Sequence, residues 1–125
     1  MAPVSEEKIV ELVDAFYAKV RRHAILGPVF AQAIAPEAWP AHLAKMYDFW
    51  SSVMLTSGRY KGNPLAAHAK VEALAPPMFA PWLALFAETA EEICPPETAA
   101  VFRLKSERIA ESLKLGLFYR PQPGR

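Results

Sequence analysis

An all-α fold follows from three features of this 125-residue chain. Apolar residues recur at steps of three and four over long stretches, the spacing of one buried helix face. No stretch alternates apolar and polar residues with the period of two that a half-buried strand needs. The 12 prolines fall between the periodic stretches, so they mark element ends and form no low-complexity tract. The reading is four long helices and two short pieces in one domain spanning 1–125, with no internal repeat.

Ser5 followed by Glu6 and Glu7 reads as a helix start, a capping hydroxyl and then acids at the positive end of the helix dipole. Ile9, Leu12, Val13, Phe16 and Val20 continue it as one stripe, with Tyr17 alongside. Arg21, Arg22 and His23 end it, and His23 reads as a surface residue favoured by the dipole. Gly27-Pro28 breaks the chain, and a short turn carries Val29 and Phe30. Pro36 opens a long helix over Glu37 to Leu55. On it His42, Met46, Phe49, Trp50 and Val53 share a face. Thr56 to Asn63 is rich in turn residues and reads as a loop. Pro64 starts a short helical piece ending near Lys70. After Pro76-Pro77 a strongly apolar helix runs from Phe79 to Ile93. Pro95-Pro96 starts the last helix, which reaches about Leu117. The tail from Tyr119 to Arg125 reads as frayed.

Composition excludes several function classes. Hydrophobic residues make up 53% of the chain, too many for a disordered one. The net charge is +1 with Lys and Arg dispersed, which gives no electrostatic footprint for nucleic acid. No apolar run is long enough to span a bilayer, and the polar, acidic N-terminus does not read as a signal peptide. A cytoplasmic location is the expectation by elimination. The single cysteine, Cys94, forms no internal disulfide and reads as a small core filler. The glycines form no phosphate-binding fingerprint, no Cys or His pair has zinc spacing, and Ser51 and Ser52 lack a nucleophile-elbow context.

His42 and His68 carry what chemistry remains. Each lies in a locally apolar setting, on separate helical pieces. By pattern alone either imidazole packs in a core or ligates a metal. Around them stands a heavy aromatic load: the chain has 7 Phe, 4 Tyr and 3 Trp. Phe30, Phe49, Trp50, Phe79, Trp82 and Phe86 lie in the stretches flanking the two histidines. Such side chains either fill a core or wall a pocket for a large planar ligand. Haem is a ligand of that kind, and a neutral imidazole is a common bond to its iron.

The chain resembles the truncated (two-over-two) haemoglobins, most closely the third group of that bacterial family. The resemblance rests on Phe16-Tyr-Ala-Lys-Val20, Leu26-Gly-Pro-Val-Phe30, Trp39-Pro-Ala-His-Leu43, Phe49-Trp50, Tyr60-Lys-Gly-Asn-Pro-Leu-Ala-Ala-His68 and Phe79-Ala-Pro-Trp-Leu-Ala-Leu-Phe86. These fall in order over roughly residues 9 to 115. The Gly-Gly pairs of the family's other two groups are missing, which fits the third.

The resemblance implies a two-over-two helical sandwich holding haem b (iron protoporphyrin IX), with His68 as the proximal iron ligand. Tyr17 and Trp82 match the distal polar pair, and His42 matches the distal or gating histidine. Phe30 matches the aromatic packed on the haem face, and Phe49 and Trp50 match pocket walls. Met46, Tyr60, Phe79 and Phe86 are further pocket candidates, and Arg59, Tyr60 and Lys61 suit the haem propionates. The implied function is binding of oxygen and other diatomic gases for redox or detoxifying chemistry of oxygen, nitric oxide or peroxide. A diatomic ligand on ferrous iron carries partial negative charge outward, where a tyrosine hydroxyl and an indole N–H can donate to it. Each such bond contributes about 1–2 kcal/mol, so two favour slow release over rapid delivery. A haem-dependent dioxygenase or peroxidase-like activity needs an external reductant, so a separate reductase is the expected partner. Two other readings stand beside this one: a haem-based gas sensor acting through a partner, and a cofactor-free helical interaction module.

Overall fold

The computed structural model describes residues 4–69 and 75–118. Among them are six α-helices: α1 Glu6–Arg22, α2 Leu26–Ala33, α3 Trp39–Leu55, α4 Pro64–Ala69, α5 Phe79–Ile93 and α6 Pro96–Phe118. The frayed tail expected over 119–125, and the expected end of α4 at Lys70, lie outside the described residues.

α1 begins as its sequence predicts. The Lys8 N–H donates to Ser5 Oγ at 3.1 Å, and Glu6 and Glu7 occupy the first turn. Its stripe of Ile9, Leu12, Val13, Phe16, Tyr17 and Val20 is buried throughout. The turn expected at Val29 and Phe30 is instead the eight-residue helix α2. Pro28 sits in its first turn, where a missing N–H costs no hydrogen bond, so a pair read as a break is a helix start. His23 is correspondingly not a simple surface residue. It is half-buried, and its Nδ1 accepts the backbone N–H groups of Ile25 at 3.1 Å and Leu26 at 3.2 Å, capping α2.

A one-turn 3₁₀ segment, Pro36–Ala38, leads into α3, and another, Pro76–Met78, leads into α5. The long helix expected from Glu37 therefore starts two residues later. It ends at Thr56, whose φ of 53° is the left-handed conformation that closes many helices.

α1 packs against α2, α3 and α5, while α6 packs against α5 and α4. Two helices thus lie over two, α1 and α3 on α5 and α6. The shared core holds Phe16, Phe86 and Phe102, each at most 2% exposed, with Ile9, Leu12, Val13 and Val20. Burying one such side chain contributes about 1.5–3 kcal/mol. Cys94 belongs to this core, as expected of it. A smaller cluster of Phe79, Ala110 and Leu113 closes the end of the sandwich beside α4. Lys19 ties α1 to α5 through Glu88 at 2.9 Å and Glu92 at 2.7 Å.

Candidate cofactor site

A cavity opens between α2, α4, α5 and α6. Leu26, Val29 and Phe30 line it from α2, and His68 from α4. Met78 lines it from the 3₁₀ turn before α5, Phe79 and Trp82 from the start of α5, and Ala110 and Leu113 from α6. Its cavity volume is about 60 Å³, and it opens to solvent. Its lining side chains are apolar but for the nitrogens of the His68 and Trp82 rings.

His68 stands four residues after Pro64, one helical turn away. Its Nδ1–H donates to the Pro64 carbonyl at 2.7 Å. The carbonyl accepts only, so the ring proton is held on Nδ1 and Nε2 keeps its lone pair. That is the arrangement by which a metal-ligating imidazole is oriented. Among the described residues, no group of three or more His, Cys, Asp or Glu is placed to hold a metal ion. A metal here would have one protein ligand and need its remaining donors from a macrocycle. The apolar wall and the single free Nε2 fit haem.

Tyr17 and His42 form a second cluster next to this wall. Tyr17, 6% exposed, meets Phe30 at 5.9 Å, Trp39 at 5.8 Å and His42 at 5.2 Å between ring centroids. Burial pushes the Tyr17 hydroxyl well above its ordinary pKa, so it keeps its proton and can donate. His42 Nε2 is buried without a hydrogen-bond partner. Burial is the largest cause holding the His42 pKa below its ordinary value, and the charges of Lys45 and His68 add to it. A neutral imidazole with an unused nitrogen is the expected state, and such a group invites a functional explanation.

Trp82 is held from behind. Its ring stacks on Phe86 at 5.7 Å and 4°, and Phe86 stacks on Trp50 at 4.8 Å and 15°. Phe16 meets Trp82 edge-on at 5.6 Å and Phe86 at 5.1 Å. Trp50 and Phe86, expected in the pocket wall, therefore stand in the core behind it. Stacking on the apolar interior removes more of their surface from water than a wall position would. Phe49 and Tyr60, also expected at the pocket, meet each other at 5.2 Å. Phe49 further meets Trp50, and Met46 packs against the main core. None of these three is in the cavity wall.

The propionate candidates lie in the loop before α4. Arg59 is already engaged: its guanidinium meets both Glu6 oxygens at 2.7 and 3.1 Å, and Asp48 at 3.2 Å. Its charge is thus shared between two carboxylates of the protein itself. Ser51 Oγ, fully buried, donates to Glu6 at 2.8 Å and meets Ser57 Oγ at 2.8 Å. The Tyr60 N–H donates to Ser52 Oγ at 3.0 Å, and Lys61 is exposed.

Of the residues singled out in the sequence, Phe30, His68, Phe79 and Trp82 line this cavity, while Tyr17 and His42 are not among its lining residues. Leu26, Val29, Met78, Ala110 and Leu113 in the wall, and Trp39 beside Tyr17 and His42, were not expected there. Ala110 and Leu113, three residues apart on one helix face, carry an apolar signal. That signal does not say whether the face meets a core or a cavity.

No family model matches the chain. It is 33% identical over 117 residues to the group 3 truncated hemoglobin of Campylobacter jejuni, an alignment spanning 92% of each chain. The crystal structure of group III truncated hemoglobin from Campylobacter jejuni superposes with a TM-score of 0.88, at 31% identity and over 98% of both chains. Among the described residues, no helix is long and apolar enough to cross a membrane.

Proposed function

The chain belongs to group III of the truncated haemoglobins, and from that premise we propose that it holds haem b and binds oxygen and other diatomic gases. His68 is the protein ligand in this reading, through Nε2. Tyr17, Trp82 and His42 face the gas, and Phe30, Phe79, Leu113 and Val29 hold the macrocycle by apolar contact. Bound there, haem supplies a redox-active iron with one open position for a small ligand.

The observation that carries the proposal is the His68 hydrogen bond to Pro64. It holds the proton on Nδ1 and orients the ring, leaving Nε2 as the nitrogen free to ligate. The chain's other residues do three things. The apolar wall excludes water, which strengthens any hydrogen bond made inside it. The protonated Tyr17 hydroxyl and the Trp82 indole N–H each offer a donor, worth about 1–2 kcal/mol apiece to ligand retention. The Phe86–Trp50 stack holds the Trp82 ring in one plane, so its donor is presented without further ordering cost. Slow release supports redox or detoxifying chemistry of oxygen, nitric oxide or peroxide, with electrons from a separate reductase.

The test is an absorption spectrum of the purified protein in ferric, ferrous and gas-exposed forms. A Soret band that shifts with oxygen and carbon monoxide is expected. A colourless preparation that takes up no added haem would overturn the proposal.

A further inference from the structure

We infer that Trp39, held from outside by Arg21, is a positioning residue that sets the orientation of the His42 ring. The inference rests on the reading of His42 as a residue of the gas-binding side. His42 Nε2 has no hydrogen-bond partner, so that nitrogen gives the ring no polar anchor. Two aromatic neighbours meet the ring, both nearly perpendicular to it: Tyr17 at 5.2 Å and 88°, and Trp39 at 5.4 Å and 87°. A side chain without a polar anchor takes the rotamer its packing allows.

The four residues form a box across two helices. Tyr17 and Arg21 are one turn apart on α1, and Trp39 and His42 are one turn apart on α3. The Arg21 guanidinium carbon lies 4.5 Å from the centre of the Trp39 ring, the geometry of a cation held over an aromatic face. Phe30 stacks on Trp39 at 6.4 Å and 24° and also lines the cofactor cavity. Trp39 is only 5% exposed, so little of its ring reaches water. Removing the Arg21 cation removes the charge that favours this ring position. The Trp39 ring then gains orientations, and the His42 ring gains them with it.

The variants are Arg21→Gln, which removes the cation, Arg21→Lys, which keeps a positive charge, and Trp39→Phe, which keeps a smaller ring. The readouts are the NMR resonances of the His42 ring protons and the rebinding rate of carbon monoxide after photolysis. Arg21 acts on His42 through Trp39, so a shift of the His42 resonances in Arg21→Gln reports movement of the ring. The expected result is shifted or doubled His42 resonances and a change of about two- to fivefold in rebinding, the size of an exposed cation–π contact. Arg21→Lys should return both toward the parent. Unmoved His42 resonances in Arg21→Gln overturn the inference, and so does an unchanged rebinding rate in Trp39→Phe. A lowered urea midpoint without such shifts does so too, since it marks a merely structural role. If Arg21→Gln does not fold, the other two variants decide by the same readouts. Should the parent take up no haem, the proposed function fails on its own. The His42 resonances of the cofactor-free protein then decide the positioning role separately.

Discussion

Replacing Gly27 by Ala sets two effects of opposite sign against each other. Gly27 is the second residue of α2, and alanine is the better helix former by about 1 kcal/mol in a helix interior. The gain is smaller in a first turn. Against it stands a steric fact: a Cβ at this position would lie 2.9 Å from the Arg21 carbonyl oxygen and 3.4 Å from the Arg21 carbonyl carbon. Both are backbone atoms of the last turn of α1, which cannot swing aside as a side chain would. Relieving such an overlap means moving α2 away from α1, and overpacking of this kind costs about 1–3 kcal/mol. The steric term wins, for a net loss of about 1–2 kcal/mol. At this chain length that corresponds to roughly 4–8 °C in Tm. Thermal unfolding followed by circular dichroism, backed by urea midpoints, measures it. Because α2 carries Leu26, Val29 and Phe30, the same shift should weaken haem uptake. A Gly27→Ala protein that melts at or above the parent's temperature would refute the close-approach argument.

Other expectations are as direct. His68→Ala should lose stable haem binding and regain an iron-ligated spectrum with added imidazole; a parent-like spectrum without imidazole would remove His68 from the ligand role. Tyr17→Phe combined with Trp82→Phe should speed oxygen release by about 30- to 1000-fold, two donors at about 1–2 kcal/mol each, and unchanged stopped-flow off-rates would show that neither donor reaches the gas. Glu6 is held below its ordinary pKa of 4.5, first by the hydrogen bond from Arg59 and then by that from Ser51. A depressed carboxyl contributes stability that is present above pH 4.5 and lost as the pH falls through its folded value. Glu6→Gln should therefore have a lower urea midpoint than the parent at pH 7, with the gap narrowing as the pH falls below 4.5; a gap of constant size would mean the carboxylate charge is not what matters.

The helices were legible because their signals are local. Ser5 with Glu6 and Glu7 start α1 by hydrogen bonding and charge within one turn. The Phe79–Ile93 bounds of α5 follow from the prolines before and after it. The missed helix α2 is instructive: Gly27-Pro28 is a breaker in a helix interior but a starter in a first turn. The His23 cap that decides between the two depends on a side-chain direction the sequence does not state. The partners of Arg59 were illegible for a related reason. Glu6, which meets its guanidinium, is distant in sequence, so no local signal points to the pair.

By itself the sequence determined an all-α chain, its buried faces and a resemblance to truncated haemoglobins, which carries the expectation that His68 is a ligand. Each of these depends on residues close together along the chain or on their order. Only the tertiary structure decided which buried aromatics wall a cavity and which fill the core. Phe30, Phe79 and Trp82 face the space beside His68, while Trp50 and Phe86 stack behind Trp82. Helical periodicity says that a face leaves water and is silent about what it meets. A cavity belongs to the gap between helices, so its lining is set only when α2, α4, α5 and α6 come together.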